Sequence, residues 1–255
     1  MQSWKKTTSY SKALPIPSLL EGLTNEEMEQ RDREIELARR AEIKKDRDNA
    51  FFGCGINEDL RGCSFQNYHA NSSEQKKALS AVYEFAKKVT AGQYCALVLY
   101  GNPGGGKTHL VTACLNMVLH SVKKTVKKIW NEDYSEYFTG LYIQSRSISS
   151  RLMETVNFRS KETYDDVINE FCSSDLLVID EIGRDPLSLS GESSGLFAII
   201  DKRKSKGKSI AMCTNCNFEE LSKILGSAAM SRILQNAIVV DMSKIPDWRL
   251  SHRGV

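Results

Sequence analysis

The segment Gly101-Asn102-Pro103-Gly104-Gly105-Gly106-Lys107-Thr108 satisfies every fixed position of the pattern G-x-x-x-x-G-K-[ST]. Its glycines let backbone N–H groups turn inward as an anion cradle. A helix beginning there points its positive end at phosphates, and Lys107 brings a charge to the β and γ oxygens. Thr108 supplies a hydroxyl suited to magnesium. Further along, Leu176-Leu177-Val178-Ile179-Asp180-Glu181 is an apolar run that ends in two carboxylates. Asp180 can reach the magnesium shell, and Glu181 can polarise a water for attack on the γ-phosphate. The chemistry these residues imply is binding of ATP with magnesium and hydrolysis to ADP.

Two further groups lie near that chemistry. Ile210-Ala211-Met212-Cys213 leads into Thr214-Asn215, which makes Asn215 a candidate γ-phosphate sensor that orients the attacking water. His109 follows the loop directly and reads as a surface or packing residue at the edge of the nucleotide-binding set. Cys213-x-x-Cys216 has metal spacing, but zinc needs four ligands and no second pair of Cys or His stands nearby in sequence.

Elements able to position these residues follow from the hydropathy pattern. Short β-rich apolar runs occupy Ala96 to Tyr100, Leu141 to Ile143, Leu176 to Ile179, Ile210 to Cys213 and Ile238 to Val240. Helical stretches intervene at Thr108 to Leu119, Ile148 to Val156, Leu196 to Lys204 and Phe218 to Leu225. That alternation predicts a three-layer α/β domain with a parallel five-stranded sheet covered on both faces. The Lys/Ser/Gly run from Lys202 to Lys208 reads as a solvated turn before a strand.

A chain of 255 residues accommodates one substantial core and an appendage. Its net charge of +3 is compatible with a nucleic-acid partner but does not by itself indicate one. Seven scattered cysteines imply no disulfide framework, and no run approaches a membrane span, so the protein is expected to be cytoplasmic and free of membrane. Thr24-Asn25-Glu26-Glu27 fits a capping box, and the Gly- and Pro-free stretch to about Asn49 reads as a charged helix. Its seam of Met28, Ile35 and Ala38 is too sparse to bury it firmly, so it either projects into water or awaits a partner. The expected division is a helical region over 1–52, a linker over 53–69 and the nucleotide-binding domain over 70–255.

Taken in order, Cys63-Ser64-Phe65-Gln66-Asn67-Tyr68, the P-loop through His109-Leu110, Asp175 to Gly183, Asp201-Lys202-Arg203 and Thr214-Asn215-Cys216-Asn217 resemble the AAA+ helicase loaders, most closely the bacterial DnaC type. The resemblance implies an AAA+ domain, here expected without a C-terminal lid, whose function is to help place a DnaB-like helicase on single-stranded DNA. It implies that Arg232 reaches a neighbouring subunit's nucleotide, with self-association through the AAA+ domains, and that Arg249 is a second sensor. Phe158 and Arg159 occupy the place where such loaders contact single-stranded DNA, although Phe158 is equally suited to a core. By the same resemblance the region before Gly53 grips the helicase. The segment Val122 to Thr139 is longer than the family connection, and Ser188-Leu189-Ser190-Gly191 stands where an aromatic is expected. An IstB-like transposition helper shares the core motifs. A non-hydrolysing adaptor is disfavoured by the intact Lys107, Asp180 and Glu181.

Overall fold

The computed structural model describes residues 53–129, 132–157, 160–183 and 195–251, with isolated positions between Thr24 and Glu34. Main-chain course only is described for 124–129, 132–136 and 250–251. Seven strands are found there: β1 (Ala96–Tyr100), β2 (Val122–Ile129), β3 (Glu132–Tyr137), β4 (Gly140–Gln144), β5 (Leu176–Ile182), β6 (Ser209–Thr214) and β7 (Ala237–Asp241). The helices are α1 (Ser73–Thr90), α2 (Lys107–Leu119), α3 (Ser145–Glu154), α4 (Tyr164–Phe171), α5 (Gly195–Ser205), α6 (Phe218–Leu225), α7 (Ser227–Leu234) and α8 (Trp248–Ser251).

The main sheet is parallel and runs β4-β5-β6-β1-β7. Successive residues of β1 enter opposite cores: Leu97 and Leu99 pack with α1 and α2, whereas Ala96 and Val98 pack with α3 to α7. Burial on both faces explains why β1, β5 and β6 read as continuous apolar runs. Each fully buried Leu or Ile in these layers contributes about 1.5–3 kcal/mol. The expected three-layer α/β architecture is present.

Local signals start three of the covering helices. Ser72 with Gln75, Thr163 with Asp166 and Asn217 with Glu220 form reciprocal capping boxes. α2 has no such side-chain cap, because it starts from Gly106 in the left-handed region and leaves its first-turn N–H groups directed at the loop.

Two segments differ from expectation. Residues 53–69 are not a free linker: Cys54 and Ile56 enter the α1/α2 core, the Tyr142 amide donates to the Cys54 carbonyl at 2.6 Å, and Asn116 donates to the carbonyls of Arg61 and Cys63. The segment thereby covers the β4 edge of the sheet. Residues from Val122 onward form an antiparallel hairpin of β2 and β3, separate from the main sheet. In the N-terminal region, which clusters as its own unit from Met1 to Lys45, Glu26, Gln30, Arg31, Arg33 and Glu34 are helical. Met28, Ile35 and Ala38 lie outside the described residues, as do Phe158, Arg159 and the 188–191 segment.

Candidate nucleotide site

β6 lies between β1 and β5, so the turn after β6 separates the P-loop from the Asp180-Glu181 end of β5. These three strand ends converge on a cavity of about 360 Å³ lined by Gly104 to His109, Asp180, Glu181, Thr214 and Asn215. Its position beyond the carboxyl ends of parallel strands is the usual ligand crevice of open α/β sheets. The cradle has no room for side chains. A Cβ on Gly104 would lie 1.8 Å from Asp247 Oδ1, and one on Gly106 would lie 2.6 Å from the Tyr68 ring, with φ of +78° and +87°.

Lys107 reaches back across the loop, its ammonium donating to the carbonyls of Gly101 and Asn102 at 2.7 Å each. Thr108 Oγ1 donates to Asp180 Oδ2 at 2.8 Å, which joins α2 to β5. The same oxygen accepts the Tyr142 hydroxyl at 2.8 Å, and Oδ1 accepts the Glu181 amide at 2.8 Å. Burial, and after it the Asp180 charge, pushes the Tyr142 phenol far above its ordinary range, so it remains a donor. A threonine hydroxyl beside a carboxylate, both hard oxygen groups on the cavity wall, fits a magnesium ion.

Glu181 is the one non-glycine residue with positive φ, at 60°, among the described residues. It sits where the β5–β6 register shifts between Ile179 and Ile182, so the strand is displaced as it enters the cavity. Such a conformation costs on the order of 1–3 kcal/mol and is held by its surroundings. Part of that hold is visible: Thr214 Oγ1 donates to the Ile182 carbonyl at 2.7 Å and accepts the Cys216 amide at 3.0 Å, pinning the Asn215 turn to the end of β5.

The loop's outer wall comes from both ends of the domain. Tyr68 donates to the Gly105 carbonyl at 3.1 Å, and burial moves its phenol up to about 12. His109 packs against the Tyr68 ring and is within 3.1 Å of the Ser64 carbonyl, beside the cavity. Trp248 donates its amide to the Gly104 carbonyl at 3.2 Å and stacks on His69, the ring centroids 5.3 Å apart and the planes inclined by 5°. Arg249 also lines the cavity, with its guanidinium paired to Asp247 at 3.1 Å.

Arg232 lies apart from this cavity. Within its own chain it pairs with Asp201, donates to the Ala228 carbonyl at 3.2 Å and lies 4.9 Å from the centre of the Phe197 ring. The structure therefore brings Pro103 to His109, Asp180, Glu181, Asn215 and Arg249 around one cavity, joins Gly101 and Asn102 to it through the Lys107 ammonium, and does not bring Arg232 to them within one subunit. Tyr142 was not anticipated from sequence. Its pairing with Val178, two residues before Asp180, becomes visible only when β4 is known to neighbour β5.

Residues 6–253 match the family described as IstB-like ATP binding protein. The chain belongs to that family. Replicative helicase loader DnaC of Escherichia coli K12 is 32% identical to this IstB-like chain over 180 residues, covering 70% of it and 66% of the relative. The chain thus matches just under two thirds of that relative's length. A crystal structure of the DnaC helicase loader superposes with a TM-score of 0.55 at 20% identity, covering 72% of this chain and 99% of the other. One of DnaI gives 0.55 at 16% identity, covering 75% and 93%. The structural likenesses show that the IstB-like domain shares the fold of these two proteins, and the family's description is of ATP binding. No helix among the described residues is long and apolar enough to cross a membrane.

Proposed function

We propose that this chain is a magnesium-dependent ATPase that helps place a DnaB-like replicative helicase on single-stranded DNA. The observation that carries the nucleotide half is the 2.8 Å bond from Thr108 to Asp180, which puts a hydroxyl and a carboxylate on one wall of the P-loop cavity. In this reading Thr108 and Asp180 hold the magnesium, whose charge when bound neutralises phosphate oxygens. Lys107 turns its ammonium to the β and γ oxygens, Glu181 polarises the attacking water and Asn215 orients it. Arg249 senses the nucleotide from its own subunit, while Arg232 serves the neighbouring subunit's nucleotide after leaving Asp201.

The loader half is supported by the naming of the relative as a replicative helicase loader and by the motif order. Residues 1–52 would grip the helicase, and Phe158 with Arg159 would meet single-stranded DNA. A second reading, a transposition helper, is favoured by the IstB-like match itself, which extends through the N-terminal region. Recovery of a replicative helicase as the main protein captured by the full chain supports the loader; recovery of a transposase instead overturns it.

The ATPase half is tested by a pair of variants. Lys107→Ala is expected to weaken ATP binding severely, because it removes the principal γ-phosphate charge. Glu181→Gln is expected to keep binding and to lower turnover by about 100- to 10,000-fold, the scale of one general base. Hydrolysis at the wild-type rate by Glu181→Gln contradicts the assignment.

A further inference from the structure

Tyr142 is held at both ends. Its side chain is 5% exposed, and its hydroxyl donates to Asp180 Oδ2 at 2.8 Å, the oxygen that also accepts from Thr108. Its backbone is clamped on the other side by the segment that covers the sheet edge. The Tyr142 amide donates to the Cys54 carbonyl at 2.6 Å, and a Cβ on Gly55, whose φ is +83°, would lie 2.4 Å from the Tyr142 carbonyl oxygen. Only glycine permits that approach. The strand register explains the reach: Tyr142 opposes Val178, so its side chain shares a face with Asp180 one pleat further on.

Asp180 therefore has two hydroxyl donors on one oxygen, and they are not equivalent. Thr108 belongs to the P-loop and is itself a candidate ligand for magnesium. Tyr142 belongs to the sheet and, fixed from outside, can hold the carboxylate whether or not a metal is present. We propose that Tyr142 is a positioning residue for nucleotide-linked metal binding: its hydroxyl sets the rotation of the Asp180 carboxylate, and the Cys54-Gly55 backbone sets the position of Tyr142. The proposal rests on the magnesium–ATP reading above. Partners of this kind, one step removed from a metal, typically change metal affinity by 10- to 100-fold when removed.

The test uses the full chain, a fluorescent ATP analogue and a magnesium titration. Tyr142→Phe keeps the ring and deletes only the donor. It is expected to raise the magnesium concentration at half-saturation about tenfold with analogue affinity in EDTA unchanged, whatever part of Tm the buried hydrogen bond carries. A merely structural hydrogen bond would lower Tm and leave the magnesium midpoint in place. A midpoint that stays put, or falls because the hydroxyl was competing with the metal, overturns the proposal. Gly55→Ala approaches the same residue from the other side and is expected to shift the midpoint in the same direction; no shift in that variant overturns the part assigned to Cys54-Gly55. Wild-type protein whose nucleotide binding ignores magnesium contradicts the underlying site reading, whereas a normal wild-type response with an unresponsive Tyr142→Phe contradicts the role of Tyr142 alone.

Discussion

Two aspartates mark the two ends of β5 and are held by opposite means. Asp175, just before the strand, accepts from Lys208 and from Lys123 at 2.9 Å, and also from the Thr139 amide and hydroxyl. Asp180, near the other end, accepts from two hydroxyls and one amide. Both are mostly buried. A carboxylate already matched by cations builds structure. One oriented by hydroxyl and amide donors keeps its direction while its charge can meet an incoming cation. One end of β5 is thus tied into structure, and the other is the proposed site.

Arg203 shows how complete that tie is. It is fully buried and donates to the carbonyls of Phe171, Ser174, Asp175 and Ser209, tying α4, α5, β5 and β6 together. Burial lowers its pKa to about 10, which leaves it a cation at neutral pH. Arg203→Ala is expected to have the largest stability effect, on the order of 3 kcal/mol, because several buried acceptors lose their donor together. Thermal melts should fall by roughly 6–12 °C. A melt within 1 °C of wild type would mean that these carbonyls find other donors.

Asp175 gives a smaller effect with a definite pH signature. Burial would raise its pKa, but Lys208, the Thr139 amide and Lys123 outweigh burial and lower it from 3.8 to about 2. A depressed carboxylate pKa contributes stability that is fully present above the unfolded value and is lost as pH falls through the folded one. The contribution is about 2 kcal/mol at neutral pH. Asp175→Asn should therefore lose about that much at pH 7, with the gap to wild type closing between about pH 4 and pH 2. Denaturant titrations across this range check it; a gap that does not narrow means the lysines are not what holds Asp175.

At the Asp180 end the expected pattern reverses, with function moving and stability not. The Arg249–Asp247 pair is mostly exposed on the arginine side, and such pairs add little to folding. Arg249→Ala should leave Tm unchanged and weaken nucleotide binding several-fold. Unchanged binding would leave Arg249 as a surface partner of Asp247 only.

The nucleotide-binding motif was largely legible in sequence because it is local. A P-loop and a strand ending in two acids carry their own spacing, and β1, β5 and β6 appear as apolar runs because both of their faces are buried. What spacing could not show was adjacency. Tyr142 meets Asp180, and His69 stacks on Trp248, through strand order and loop packing that leave no periodic trace. Other omissions did have signals. Ser72 and Gln75 announce α1 by the same capping logic that marks Thr24 and Glu27, and Cys54 and Ile56 are apolar residues within the expected linker. The β2–β3 hairpin shows in sequence only as extra length, since its residues alternate charge with apolar groups too irregularly to fix a register.

The contrast between the two aspartates is tested most directly by measuring Tm and ATP turnover for Asp175→Asn and Asp180→Asn side by side. Asp175→Asn is predicted to melt earlier and to hydrolyse ATP at the wild-type rate below its melting range. Asp180→Asn is predicted to melt within about 2 °C of wild type, a change below about 1 kcal/mol, and to lose turnover by at least 100-fold. Wild-type turnover in Asp180→Asn, with or without a loss of stability, would contradict the assignment of this end of β5 as the metal–nucleotide site.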